Sequence, residues 1–251
     1  AGHQEYRQGL GKSDESKYFF TPLGEPASHL IDESLARFWE NHVGRSRQFS
    51  GFIGSEIKEH FDLDEEENAI ADAFFGELNE FNSDNLNRLE ADELTYHLHI
   101  LTRYDIEREL INGNIETDDI PEVWQDKMEN YLGVAPDDEK VLGRENGVLQ
   151  DPHWFRGKFG YFPQYTLGTI LSAQLENTLR QDLEEKENIE DFSEIIEEGE
   201  YEPIKNWLDR EIHQYGKQFT TSELIENATG EKLNSDYIIE YLEDKYVQEQ
   251  E

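Results

Sequence analysis

Apolar positions along this chain recur at steps of three and four and almost nowhere alternate, the pattern of helices that bury one face. In SLARFWENHV (34–43), Leu35, Phe38 and His42 share a face. In DEEENAIADAFFGELNEF (64–81), Ile70, Phe74, Leu78 and Phe81 do so behind an acidic start that suits the positive end of a helix. Residues 88–111, RLEADELTYHLHILTRYDIERELI, form the longest expected helix and carry two stripes. Leu94, Leu98 and Leu101 make an apolar one, while Arg88, Asp92, Tyr96, His99 and Arg103 make a polar one. Polar stripes usually face water. In so acidic a chain, however, a face bearing Arg, Tyr and His is expected to be internal or to line a site.

Further along, IPEVWQDKMENYLG (120–133) reads as a helix entered through Pro121 and stopped by Gly133. GVLQDPHWFRGKFGYFPQYTLG (147–168) is irregular and rich in Gly, Pro and aromatic rings. Surface loops seldom carry so many large rings, so it is expected to lie buried against a cleft. TLGTILSAQLENTLRQDL returns to helix, and Glu184 to Glu251 reads as short helices broken at Gly199, Pro203, Gly216 and Gly230. With no linker or repeat visible, the expectation is an all-α chain forming a single multi-helix domain.

Charge narrows the partners. The 58 Asp and Glu against 22 Lys and Arg give a formal charge of −36, which opposes binding to nucleic acid or an anionic membrane. A disordered acidic tail would be poor in aromatics, whereas this chain has 4 Trp, 12 Tyr and 14 Phe. The composition therefore points to a folded protein with a halophilic surface, hydrated by carboxylates and screened by salt. There is no cysteine, which excludes disulfides and thiolate metal sites and suits a cytoplasmic protein. No run approaches the ~18 to 20 apolar residues of a membrane span.

By residue type, His3, Glu33, Arg88, His99, His153 and Tyr161 are the candidates for chemistry. A zinc hydrolase needs imidazole or carboxylate ligands, a carboxylate base, and cationic or hydroxyl groups for the oxyanion. Types alone are weak support in a sequence this rich in glutamate. Arg88 can offer a bidentate fork to a planar carboxylate, the chemistry that selects a free peptide C-terminus. It can equally form a structural ion pair with Asp92 at i+4. Tyr161 is either a phenol for the oxyanion or a packed core ring.

Four blocks in order, AGHQEYRQGL, TPLGEPASHLIDESLARFWENHVGRS, NRLEADELTYHLHILTRYDIE and GVLQDPHWFRGKFGYFPQYTLG, together resemble the carboxypeptidase Taq (thermostable carboxypeptidase) family of zinc metallocarboxypeptidases. The stretch from Glu198 to Tyr246 also looks like that family's C-terminus, so the resemblance covers essentially the whole chain. It implies an HExxH metal helix whose closing part is Ala1-Gly2-His3, making His3 the second zinc histidine. The first histidine and the catalytic Glu are then expected before Ala1. Residues 1–251 are thus expected to be the C-terminal part of the catalytic domain.

The resemblance further implies Glu33, in Asp32-Glu33-Ser34, as the third ligand of zinc, with cobalt an alternative. Asp32 stands where the family has histidine. The segment between His3 and Glu33 is longer than usual around GKSDESKYFF. Arg88, Ala91 and Asp92 match the family's Ile-Arg-x-x-Ala-Asp, with Asn87 in the Ile position. Gly147, Gln150, Asp151, His153 and Trp154 match Gly-x-x-Gln-Asp-x-His-Trp in full. By resemblance Arg88, Gln150, Asp151 and Trp154 bind substrate, and His153 and Tyr161 are catalytic.

The expected activity is release of single amino acids from peptide C-termini by a homodimer. Without its base, and without the missing N-terminal part of the same enzyme, the chain alone is expected to be inactive. A truncated, non-catalytic helical or dimerising body is the alternative. A generic acidic adaptor explains the composition but none of the blocks.

Overall fold

The structure is a computed structural model that describes residues 1–10, 18, 20–187, 189 and 191–247. Among the described residues every regular element is helical, as the three-and-four periodicity requires. Backbone packing divides the chain into two compact units: unit 1 is Ala1–Leu78 with Leu167–Glu251, and unit 2 is Asn79–Thr166. The insertion expected around residues 11–20 lies, apart from Tyr18 and Phe20, outside the described residues.

Unit 1 begins with α1 (Gly2–Gly9) and α2 (His29–Arg37), the latter running into a π-helical turn at Phe38–Gly44. Then come α3 (Arg47–Phe61) and α4 (Glu67–Leu78). Ser28 starts α2 by accepting a hydrogen bond from the Ile31 amide at 3.3 Å, which sets a register that buries Ile31, Ser34 and Leu35. Leu35, Phe38 and His42 are all buried, as their spacing predicts. In contrast, no residue of α4 is fully buried, so its apolar face Ile70, Phe74 and Leu78 is only half-covered.

The long α7 (Pro163–Glu187) starts in unit 2 and supplies Leu171, Leu175, Leu179 and Leu183 to the core of unit 1. The short helices α8 (Phe192–Glu197), α9 (Glu202–Glu211), α10 (Thr221–Thr229) and α11 (Asp236–Tyr246) follow. Pro203 does not break this run. It sits in the first turn of α9, where its missing N–H is no loss. The Trp207, Leu208 and Ile212 side chains complete a single apolar cluster, each such residue contributing about 1.5–3 kcal/mol on burial.

In unit 2, α5 (Tyr96–Ile111) packs against α6 (Ile120–Leu132) around Ile106, Trp124 and Met128. Pro121 and Gly133 bound α6 as expected. The helix expected from residue 88 begins only at Tyr96, which also leaves the 25-residue α7 as the longest helix. Short polar side chains outcompete it upstream. Asn85 accepts from the Asn87 amide at 2.8 Å, Asn87 from Leu89 at 3.0 Å, and Asp92 from Leu94 and Thr95 at 2.9 Å each.

The two stripes of that segment are also inverted relative to a simple amphipathic helix. His99, Arg103 and Glu107 are buried, while Leu101 is 38% exposed. The arginine-bearing face is internal, as its composition suggested. The aromatic segment 147–168 is only partly buried: Phe162 is enclosed, but Phe155 and Phe159 are 66% and 49% exposed.

Candidate functional site

The site begins with how closely α1 approaches α2. A Cβ on Gly2 would lie 2.2 Å from the Leu35 carbonyl oxygen, a contact no side chain tolerates. Glycine there lets the two helices nearly touch. Tyr6, one turn later, is fully buried and accepts a hydrogen bond from the Ala27 amide at 2.9 Å, tying α1 to the entry of α2. Burial raises its phenol pKa to about 12.

This packing places the His3 imidazole over the start of α2. Its Nε2 is 3.7 Å from Glu33 Oε2, and its Nδ1 is 2.9 Å from Asp32 Oδ1. The latter pair is close but not aligned as a hydrogen bond. Arg37 donates to the other Glu33 oxygen at 3.2 Å and so turns Oε2 toward the histidine. Gly168 makes room on the far side, since a Cβ there would meet Glu33 Cγ at 2.9 Å.

These donors fit a divalent metal. Two ligands at ~2.0–2.2 Å from a tetrahedral zinc stand roughly 3.4 Å apart, close to the spacing found. The residues present therefore match two ligands, and among the described residues no group of three His, Asp or Glu is arranged to hold an ion.

Arg88, Gln150, Asp151, His153, Trp154 and Tyr161 all belong to unit 2. Asp151 is at their centre. Its Oδ1 accepts from Arg88 Nε and Nη2 at 3.1 and 2.7 Å, and its Oδ2 accepts from Arg103 Nε at 2.6 Å. Arg88 Nη1 donates to Tyr96 Oη at 2.9 Å. The ion pair weighed from sequence, Arg88 with Asp92, is not the one that forms. Asp92 is occupied in starting α5, and Asp151, distant in sequence, takes its place.

Gln150 is committed to bracing this loop. Its oxygen accepts from the Arg88 amide at 3.0 Å, and its Nε2 donates to the carbonyls of Leu86 and Gly147 at 3.2 and 3.1 Å.

The cluster holds two guanidiniums and one carboxylate, all buried. Burial works against each charge, and pairing restores it. Burial alone would raise the Asp151 pKa, yet Arg103 and Arg88 hold it below the ordinary carboxylate value. Burial lowers Arg103 to about 10, against the pull of Asp151. Burial, followed by repulsion from Arg103 and Arg88, lowers the His99 pKa to about 3, against the pull of the Asn85 backbone. It is neutral at pH 7. Among the described residues Arg103 Nη2 has no hydrogen-bond partner, so the cluster retains one uncommitted cationic donor.

His153 sits among aromatic rings, 4.4 Å from Phe162 and 5.3 Å from Tyr161 between centroids. Burial first, with repulsion from the nearby cations, lowers its pKa despite Asp151. Its Nε2 is 3.0 Å from Tyr165 Oη. Tyr165 was not singled out by sequence, although it lies one helical turn after Tyr161.

Glu107 was missed as well. It is buried and accepts from Trp154 Nε1 at 2.7 Å and from the Gly160 amide at 2.8 Å, clasping both ends of the loop that leads to Tyr161. Burial raises its pKa despite those bonds. The Trp154 indole N–H is thus committed to Glu107. The only sequence signal was the stripe position Glu107 shares with Arg103, one turn away on α5.

Comparison with known proteins matches residues 1–246 to the family model described as carboxypeptidase Taq (M32) metallopeptidase. Carboxypeptidase 1 of Bacillus subtilis is 38% identical over 245 residues, covering 98% of this chain and 46% of the relative. Thermostable carboxypeptidase 1 of Pyrococcus furiosus is 38% identical over 233 residues, covering 93% and 44%. Among solved structures, Trypanosoma cruzi metallocarboxypeptidase 1 superposes with a TM-score of 0.85 at 34% identity, covering 98% of this chain and 48% of that one. The chain spans a little under half the length of the curated relatives it matches. On the match over nearly its whole length, the chain belongs to the carboxypeptidase Taq (M32) family of metallopeptidases.

Proposed function

We propose that this chain is the C-terminal part of a zinc-dependent carboxypeptidase that releases single amino acids from peptide C-termini. The observation that carries the reading is the packing of α1 on α2 through Gly2, which sets His3 Nε2 3.7 Å from Glu33 Oε2. His3 and Glu33 would hold the ion. An imidazole and a carboxylate suit zinc, and cobalt can replace it in such a donor set. When bound, the ion supplies a Lewis acid that lowers the pKa of water toward ~7. His3 Nε2 faces Glu33 and is the nitrogen placed for the metal.

The remaining roles fall to unit 2. The Arg88–Asp151–Arg103 cluster keeps an excess positive charge in a desolvated place, a setting that favours a peptide's terminal carboxylate. His153 is held neutral among aromatic rings and contacts Tyr165, while Tyr161 lies beside both. These phenols are the candidates to donate a proton or hydrogen bond to the oxyanion. Gln150, Asp151 and Trp154 act by positioning Arg88 and the aromatic loop.

The resemblance implies a further histidine and the general base before His3. Residues 1–251 alone are therefore proposed to be inactive. We further propose a halophilic, cytoplasmic homodimer. The acidic charge supports the salt dependence, and no helix among the described residues is long and apolar enough to cross a membrane. A truncated, non-catalytic body of the same family is the second reading, favoured by Asp32 in place of the family's histidine.

The test is release of the terminal amino acid from an N-blocked dipeptide. We expect none from residues 1–251 alone. With the preceding segment joined, we expect release that Glu33→Ala abolishes. Full release by the chain alone, or activity indifferent to Glu33, overturns the proposal.

A further inference from the structure

Unit 1 contains a cavity of about 380 Å³ unrelated to His3 and Glu33, a size in the range of small-molecule sites. Its lining departs from the composition of the chain. Arg47, Arg180 and Lys245 face it with Glu176, Glu240 and Asp244, three cations against three carboxylates. Over the whole chain carboxylates outnumber cations 58 to 22. Solvated faces in this protein are overwhelmingly acidic, so a locally balanced pocket calls for a specific reason.

His42 lines the same cavity and is 4% exposed. Its protonation pattern follows from its neighbours. Ser172 Oγ donates its proton to the Thr169 carbonyl at 2.7 Å, so it can only accept from His42 Nε2 at 3.2 Å. Nε2 therefore carries the ring proton and Nδ1 keeps a lone pair. That lone pair has no partner among the described residues. Burial, then Lys245 and Arg180, lower the pKa of the ring to about 3, which keeps Nδ1 an acceptor. A buried acceptor without a donor is costly, by about 1–3 kcal/mol.

The surrounding charges are held in place. Arg180 is paired with Glu176, Arg47 with Asp72 at 2.6 Å, and Lys245 donates to Tyr241 Oη at 2.9 Å, while the Tyr241 ring lies 4.4 Å from His42. A simple anion would meet the carboxylates, and a simple cation would meet the guanidiniums. A ligand carrying both charges, with an N–H to give, satisfies the whole lining. We propose that this cavity binds a small zwitterion, an α-amino acid or short peptide with free ammonium and carboxylate ends. The ammonium serves the carboxylates and His42 Nδ1, and the carboxylate serves the cations. The inference does not depend on the peptidase reading, although hydrolysis at a peptide C-terminus is a reaction class that supplies such a ligand.

The experiment is an NMR titration of residues 1–251, following the histidine ring nitrogens with His42 assigned through His42→Gln. The probes are leucine, N-acetylleucine, which lacks the ammonium, and leucinamide, which lacks the carboxylate. Leucine is expected to shift the His42 signals saturably, with each blocked probe binding at least about tenfold more weakly. Arg47→Ala and Lys245→Ala, at positions with solvent access and checked for helix content by circular dichroism, are expected to weaken leucine binding. No shift of His42 at roughly 10 mM leucine overturns the proposal. So does equal binding of either blocked probe, or leucine binding indifferent to both variants.

Discussion

Asp151 should be the most stability-critical polar residue of unit 2. It is 6% exposed and is the carboxylate that pairs with both Arg88 and Arg103, themselves 6% and 1% exposed. Removing one member of a buried ion cluster leaves an uncompensated charge and typically costs about 3–5 kcal/mol. Asp151→Asn keeps the shape and one acceptor oxygen, so a loss of about 3 kcal/mol is expected, against total domain stabilities of about 5–15 kcal/mol.

Urea unfolding followed by indole fluorescence measures it, because Trp124 and Trp154 both lie in unit 2. The pH dependence supplies a second check. The folded pKa of Asp151 is depressed, so its contribution is complete above the unfolded value of about 3.9 and is lost as pH falls through the lower folded value. The gap between wild type and Asp151→Asn should therefore be widest above about pH 4 and close in stronger acid. A loss below about 1 kcal/mol, or a gap that does not close, would refute the account of the cluster.

Other outcomes follow from the same geometry. His42 and His99 are neutral in the fold with pKa values near 3, whereas the unfolded chain takes up protons near pH 6.5. Stability should fall by up to about 1.4 kcal/mol per pH unit per histidine between about pH 6.5 and 3, and a flat stability profile from pH 7 to 5 contradicts this. Gly2→Ala gains about 1 kcal/mol of helix propensity but forces a Cβ to 2.2 Å from Leu35 O. Overpacking of about 1–3 kcal/mol should win, lowering the melting temperature and weakening metal binding; an unchanged melting temperature argues against close α1–α2 packing. Glu107→Gln can accept only one of the two bonds from Trp154 and Gly160, so faster amide exchange at Gly160 is expected, and unchanged protection rejects the clasp. Melting temperature should rise between dilute and molar KCl if the −36 charge is a halophilic surface, and fall or stay level if it is not.

Where sequence reading succeeded, local rules agreed with tertiary packing. The helix at 120–132 has Pro at its start and Gly at its end, and Leu35, Phe38 and His42 bury as spaced. It failed where side chains outcompete the backbone or reach across long separations. Nothing in NLNRLEADELTY announces that Asn85, Asn87 and Asp92 cap turns and delay α5 to Tyr96. The pairing of Arg88 with Asp151 spans 63 residues, so an i+4 rule pointed to the nearer carboxylate instead. Glu107 looks in sequence like any of the many surface glutamates, and only its burial against Trp154 separates it. The proximity of His3 to Glu33 was expected by resemblance, but its physical cause, Gly2 against the Leu35 carbonyl, is visible only in the packing.

The central claim is that His3 and Glu33 are two ligands of one metal ion. Titration with Co²⁺ of residues 1–251 joined to the segment that precedes them, followed by its visible absorption and by calorimetry, tests it most directly. Binding of one ion per chain that His3→Ala and Glu33→Ala each remove, with Arg88→Ala leaving it intact, is the predicted result. Binding undiminished by either ligand substitution, or no binding by the wild-type chain, would contradict it.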